Sequence, residues 1–422
     1  MYQDTDFSTF SGGGDPSAQS GITWGSRHVT GFDRLKVGLY VIWENPLFFE
    51  RLQDHKLAAK EANSEVSFSF APSPDLEHGD LVYNMHATGR SGGFAFHVSR
   101  GDVSIFFSTR KDIKTPNIWV DIGSESCWSP GWRQVLEDIK EIVELHHGRI
   151  WKNNVSEVHL CADFVDLSIQ RVPIHSYDNW VTRAHIFNAY YDHSGLMGVT
   201  LAQDQGDLPG EAMTGVIFGK GDIMLRIYDK VAELRRSAPK QGVFASVWGV
   251  PAFDQHPVTR VEYQLRRPVL MQMKIDTIQD LEAKRNSAWL YCTDDWSRLS
   301  LNTVDRVNRN QDKVSAHPWW QSVQQAGISL SAEPVKREYP RACKDINKLM
   351  EMVLGCLMSI GTILNCKSDQ HQDVIKYGQM LIDKRFQQMW ENKDEHGRRE
   401  FEEKMKKRWA AIWPMGFESQ PV

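Results

Sequence analysis

The 422-residue chain is 41 % hydrophobic and 24 % charged, the balance of a globular protein rather than a disordered one. No run of 18 apolar residues occurs and the first residues, MYQDTDFSTFSGGGDPSAQ, carry no basic-then-apolar leader, so neither a membrane span nor a signal peptide is expected. A net charge of −5 excludes a protein that coats nucleic acid through a broad positive field, and six scattered cysteines without a CxxC pair point to a reducing cytoplasm.

Residues 1–29, rich in Gly, Ser and Asp, read as a flexible tail. Strand-like segments follow at 34–43, 65–70, 80–86, 93–98, 102–108 and 117–122, with a helix near 46–62 between the first two. Trp132, Val135, Leu136, Ile139, Ile142, Val143 and Leu145 keep a 3.6-residue period and predict an amphipathic helix over 131–146, opened by Ser129-Pro130. Strands recur at 155–164, 197–202, 214–218, 223–229 and 258–266, and helices are expected at 177–187 and 275–291. Hairpins outnumber strand-helix-strand crossovers, so the fold class is α+β with a largely antiparallel central sheet over 30–300. Residues 301–342 read as a connector, and 343–422 as a helical C-terminal region whose Glu/Lys/Arg-dense run is a solvated helix face.

The chemistry-bearing residues gather on three of these strands. TGVIFGKGDIMLRIYDKVAELRR (214–236) reads as a hairpin turning at Gly219-Lys220-Gly221-Asp222. Alternation then places Arg226, Tyr228 and Lys230 on one face, opposite Leu225 and Ile227. A tyrosine hydroxyl titrates near pH ~10, so as a nucleophile it needs positive charge that favours the phenolate. Arg226 and Lys230 are placed to supply that charge and to clamp a phosphate, which suits attack on a nucleic-acid phosphodiester.

On EVHLCADFVDL (157–167), His159, Cys161 and Asp163 share one face. On VTRVEYQLRR (258–267), Arg260, Glu262, Gln264 and Arg266 do the same. If both strands neighbour that of Tyr228, His159, Asp163 and Glu262 form a mixed nitrogen and oxygen set suited to Mg²⁺ or Mn²⁺. Arg260, Arg266, Lys220 and Arg235 are the candidate substrate-binding cations. Local charge supports them, with a sum of +3 over 226–240 and of +2 over 260–267. The Gly219-Lys220-Gly221 turn is not a phosphate-binding loop, since no Ser or Thr follows the lysine and no helix follows the turn.

IWVDIGSESCW (118–128), EVHLCADF (157–164), GVIFGKGDIMLRIYDKVAEL (215–234) and TRVEYQLRR (259–267), in this order, resemble the replication initiation factor family. These are the trans-acting Rep proteins of rolling-circle plasmids, filamentous phages and conjugative elements. The resemblance implies a metal-dependent, sequence-specific endonuclease that nicks one DNA strand at an origin, stays on the 5′ phosphate through tyrosine, and later rejoins the strand. Tyr228 matches the nucleophile, and Asp163 and Glu262 match acidic metal-site positions. Where the family reads Arg-x-Asp-x-x-x-Asp, this chain has Glu157-Val158-His159 and then Asp163, which leaves the metal preference and the activity open. The same resemblance implies origin DNA, a host helicase and a second copy as partners. A relaxase of a conjugative element, or a non-catalytic DNA-binding regulator, are the alternatives on the same residues.

Overall fold

In the computed structural model the described residues are 27–44, 47–70, 82–110, 114–192, 199–202, 212–304, 314–327, 337, 346–367, 369–390 and 394–412. The tail expected at 1–29 lies almost wholly outside them. Strands come in chain order as β1 (His28–Trp43), β2 (Val66–Ser69), β3 (Val82–Met85), β4 (Phe96–Arg100), β5 (Val103–Phe107), β6 (Ile118–Ile122) and β7 (Gly148–Val165). After them come β8 (Trp180–Thr182), β9 (Phe187–Asp192), β10 (Val199–Ala202), β11 (Ala212–Phe218), β12 (Ile223–Asp229), β13 (Val258–Arg266) and β14 (Ser297–Leu299). The helices are α1 (Leu47–Ala62), the single turn α2 (Ser124–Ser126), α3 (Trp132–Leu145), α4 (Lys230–Leu234), α5 (Ala238–Trp248), α6 (Arg267–Gln272), α7 (Ile278–Leu290) and α8 (Pro318–Gln325). Three more, α9 (Ile346–Ile363), α10 (His371–Trp390) and α11 (Glu395–Ile412), belong to a second compact unit that begins after Arg337.

Twelve strands form one sheet in the order β10-β9-β11-β12-β13-β7-β1-β6-β5-β4-β3-β2. Every neighbouring pair is antiparallel, so the α+β class with an antiparallel centre holds. One sheet face carries the core: Leu35, Val37, Val158, Leu160, Val261, Tyr263, Leu225 and Ile227 are buried there with the inward stripe of α3. The hairpin β11–β12 pairs Gly215 with Tyr228. A Cβ at Gly215 would stand 2.8 Å from the Ile227 carbonyl oxygen and 3.0 Å from the Tyr228 Cβ, so glycine is what lets the two strands close at this point.

The helix expected over 177–187 is absent. A 3₁₀ turn at Tyr177–Asn179, β8 and the start of β9 occupy that stretch, because Trp180 is drawn into the core against Phe218 and Trp320. Tertiary packing here overrides a short, ambiguous pattern. The stretch 301–342 supplies α8, whose Trp319 and Trp320 are fully buried in the same core.

In the second unit α9 packs on α10 and α10 on α11. Gly361 lies against Val374 and Gly378 against Leu357. Phe386, Trp390 and Phe401 join α10 to α11 with ring centroids 5.4–5.5 Å apart.

Far from the core face, His86 and His97 stack at 3.8 Å and His97 stacks on Phe106 at 4.4 Å. Burial, helped by the neighbouring His86, pushes the His97 imidazole down to about 4. The folded chain thus holds His97 neutral where the unfolded chain protonates it, below pH ~6.5. Stability is expected to fall as pH drops through the window from about 6.5 to 4, and a His97→Gln chain should flatten that part of the curve. Urea midpoints measured across the window check it; an unchanged slope in the variant rejects the assignment.

Candidate metal and tyrosine site

The sheet order brings β12, β13, β7 and β1 side by side, which is the adjacency the three polar strand faces require. Register pairs Arg226 with Glu262, Tyr228 with Arg260, Glu262 with Cys161 and Arg260 with Asp163, so these side chains rise from one face. The Tyr228 hydroxyl donates to Glu262 Oε2 at 3.0 Å. Glu262 Oε1 accepts from Arg226 at 2.7 Å and meets His159 Nδ1 at 2.8 Å. His159 Nε2 lies 3.1 Å from Glu157 Oε1, which also accepts from Lys36 at 2.7 Å. A carboxylate on Nε2 fixes the imidazole so that Nδ1 faces Glu262, the arrangement that outer carboxylates give metal-binding histidines.

Asp33 completes the cluster, and the strand pattern alone did not reveal it. One carboxylate oxygen each of Asp33 and Glu262 and one His159 nitrogen lie within 4.8 Å of one another. Asp33 reaches this face through a β-bulge, since the β1–β7 register shifts between Phe32 and Arg34. Phe32 and Leu35 both point into the core, three positions apart where a regular strand would place them two apart. That break in the two-residue period was the available signal. Two carboxylates and an imidazole at this spacing fit one divalent cation with ~2.1 Å bonds after slight closure.

The other expected site residues are placed differently. Asp163, expected as a ligand, is fully buried, with both oxygens bound by Arg260 and with Oδ2 also accepting from Trp248 Nε1 at 2.7 Å. It therefore stands outside the ligand cluster, and Asp33 takes the place expected for it. Arg260, expected at substrate, is itself 0 % exposed and spans Asp163 and Asp33. An isolated guanidinium there would be prohibitively costly, and the two carboxylates compensate it. Lys230 is 1 % exposed as the first residue of α4 and pairs with Glu233 at 2.6 Å and Asp33 at 3.7 Å.

Its ammonium also lies 4.6 Å from the Phe244 ring centre and 5.8 Å from that of Tyr228. Helices α4 and α5 thus cap one end of the face through Val231, Leu234, Phe244 and Trp248. Arg226 and Arg266 remain partly exposed, Arg266 at 3.6 Å from Glu157. Arg235 is exposed after α4. Lys220 is exposed at the hairpin tip, roughly 20 Å along β12 from Tyr228 at ~3.4 Å per residue.

Electrostatics correct one expectation. Burial first, and then the Glu262 and Asp33 carboxylates, push the Tyr228 phenol well above its usual range. Arg226 and Lys230 are spent on carboxylates, so the setting favours phenol and not phenolate. Burial also works against charge on Glu262 and Asp33, yet His159 and Arg226 hold Glu262 below the usual carboxylate range, and Arg260 and Lys230 do so for Asp33. The site is a compact web in which each carboxylate has a cation or imidazole beside it.

No family model and no curated protein matches the chain. Among solved structures, the chain is similar to one described as the rolling circle replication initiator protein from Geobacillus stearothermophilus. Identity is 13 %, coverage is 72 % of this chain and 99 % of that one, and the TM-score is 0.36. A likeness of that size assigns no residue here a role. Among the described residues no helix is long and apolar enough to cross a membrane.

Proposed function

We propose that this chain nicks and rejoins one DNA strand through a 5′-phosphotyrosine, as an initiator of rolling-circle replication. Tyr228 is the nucleophile, and Asp33, His159 and Glu262 would hold Mg²⁺ or Mn²⁺. The observation that carries this reading is the 3.0 Å hydrogen bond from the Tyr228 hydroxyl to Glu262, a carboxylate of the candidate metal cluster. A conjugative relaxase would use the same chemistry. The occupation of Asp163 by Arg260 favours, as a second reading, a DNA-binding regulator without the chemistry.

The proposed step balances as follows. The phenolic oxygen bonds to phosphorus as the bond to the 3′ oxygen breaks; the phenolic proton passes to Glu262, and the departing 3′ oxygen takes a proton from solvent to end as a hydroxyl. Rejoining is the reverse, and the phosphodiester energy is conserved in the tyrosyl ester, so no nucleotide cofactor is needed. Glu262 is suited to the proton because its Oε2 already accepts it in hydrogen-bonded form. Arg226, held by Glu262 and by Gln264 at 3.0 Å, is partly exposed and positioned to meet a phosphate oxygen. A bound divalent cation would polarise the phosphate and stabilise charge on the leaving oxygen. Imidazole among the ligands tilts the choice toward Mn²⁺.

The test incubates the full chain with supercoiled DNA of its own replicon and Mn²⁺ or Mg²⁺. Denaturing gels should show a protein-linked strand; tight origin binding with intact DNA would support the regulator instead. Metal occupancy has its own readout. Mn²⁺ at 100 times its dissociation constant should raise stability by about 2.7 kcal/mol, and Asp33→Asn or His159→Ala should abolish the gain in thermal melts. An equal gain in those variants would place the cation elsewhere.

A further inference from the structure

We propose a second nucleic-acid contact on the same sheet face: Trp119, the last ring of a row on β6, β5 and β4, stacks a base of single-stranded DNA on the face that Arg90 covers. The proposal rests on the nicking reading above and names where the strand runs once it leaves Tyr228.

Strand register carries the site face across the sheet. Lys36 pairs with Glu157 on one side and with Asp121 on the other. Two residues along β6, Trp119 pairs with Phe106, and Phe106 with His97. These rings therefore stand on the face that bears His159 and Glu262, two to four strands from β7. Two to four strands at ~4.8 Å, combined with the four-residue offset along β1 from Arg34 to Gly38 at ~3.4 Å per residue, put the row roughly 17–24 Å from His159. Within the row Phe106 is buried between His97 and Arg90, and Trp119 is half-buried beneath Arg90, so a base reaches the Trp119 face by displacing the Arg90 guanidinium.

The loop between β3 and β4 supplies the cation. Gly92 and Gly93 at its tip have φ of +87° and +86°, which lets the loop turn back so that Arg90 lies over the rings. The Arg90 guanidinium is 5.2 Å from the Phe106 ring centre and 5.1 Å from that of Trp119. It is exposed and has no carboxylate within ion-pair distance among the described residues. Arg110, also exposed, packs its guanidinium against Gly93. The Trp119 indole N–H has no hydrogen-bond partner among the described residues.

Charge and chemistry select the occupant. Side chains on this face of β3, β4 and β5 are Val82, Asn84, Ser99, His97, Ser104 and Phe106; the nearby carboxylates are Asp121 on β6, in register with Ser104 and bound to Arg34, and Glu65, 3.9 Å from His86. A guanidinium over ring faces and a second one beside Gly93, neither in an ion pair among the described residues, match a polyanion that carries flat, stacking groups. Single-stranded DNA is that polymer, because a duplex keeps its base faces inside the stack. Between the row and the cluster, Arg34 and Lys36 line the way, each tied to one carboxylate.

The test measures anisotropy of a fluorescein-labelled single strand of ~20 nucleotides, and of an abasic strand of equal length, on full-length Tyr228→Phe protein. Trp119→Ala should weaken binding of the intact strand about 5- to 160-fold, the range for loss of one stacked base. It should change binding of the abasic strand less than about twofold, and Trp119→Phe should recover most of the loss. Arg90→Ala should lower the slope of log affinity against log salt by ~0.7, the value for one phosphate on a single strand. Equal losses on both strands, no loss on either, or no recovery with Phe would overturn the row as a stacking site. Ring-dependent binding in a chain that never forms an adduct would leave the row standing and sink the nicking reading. Adducts formed with undiminished binding by Trp119→Ala would do the reverse.

Discussion

Tyr228→Phe should abolish the covalent protein-DNA species and lower nicking on the order of 10⁴-fold or more, while leaving DNA affinity and fold intact. The substitution removes one oxygen. The ring stays beside Lys230, the strand register is untouched, and the partner lost is a single hydrogen bond to Glu262. Removing a nucleophile eliminates the covalent route entirely, so residual cleavage reports only water acting in its place. Single-turnover nicking with a denaturing-gel readout measures this. Cleavage within tenfold of the parent would show that water attacks and that Tyr228 only positions the phosphate.

Arg260→Met should cost about 3–5 kcal/mol of stability, the largest loss we expect from one side chain. Breaking a buried pair by removing one partner leaves the other charge unpaired. Here the partner left behind is Asp163, fully buried, with the Trp248 indole as its remaining donor; Asp33 keeps Lys230. The double variant Arg260→Met, Asp163→Leu should recover much of the loss, because replacing a whole buried pair with apolar groups is often neutral. Chemical denaturation followed by tryptophan fluorescence measures both. A loss under 1 kcal/mol for the single change would mean that water reaches Asp163.

These two residues show how far sequence reading reached. Alternation over 223–229 and 258–266 was legible because antiparallel strands with one buried face repeat every two residues, and it put Tyr228, Arg226 and Glu262 on one surface as the structure does. The helix at Trp132–Leu145 was legible for the same reason at period 3.6. Periodicity says which way a side chain points, not what meets it there. Arg260 and Asp163 were correctly placed on the polar face, yet α5 closes over them, and α5 has no apolar stripe to announce it beyond Phe244 and Trp248. Lys230 left the strand pattern by starting a helix. Asp33 was hidden by a one-residue bulge that no regular alternation contains.

Tyr228, Glu262, His159 and Asp33 stand on β12, β13, β7 and β1, each with a hydrogen-bonded strand on both sides. Amide protons there should exchange with deuterium only when the whole sheet opens, long after those of the rim strands β2 and β10. The candidate site is thus anchored on central strands, the stiffest ground among the described residues. If the proposed nicking holds, fitting the strand to the site falls to the backbone of the DNA, which must bend to a surface that does not yield.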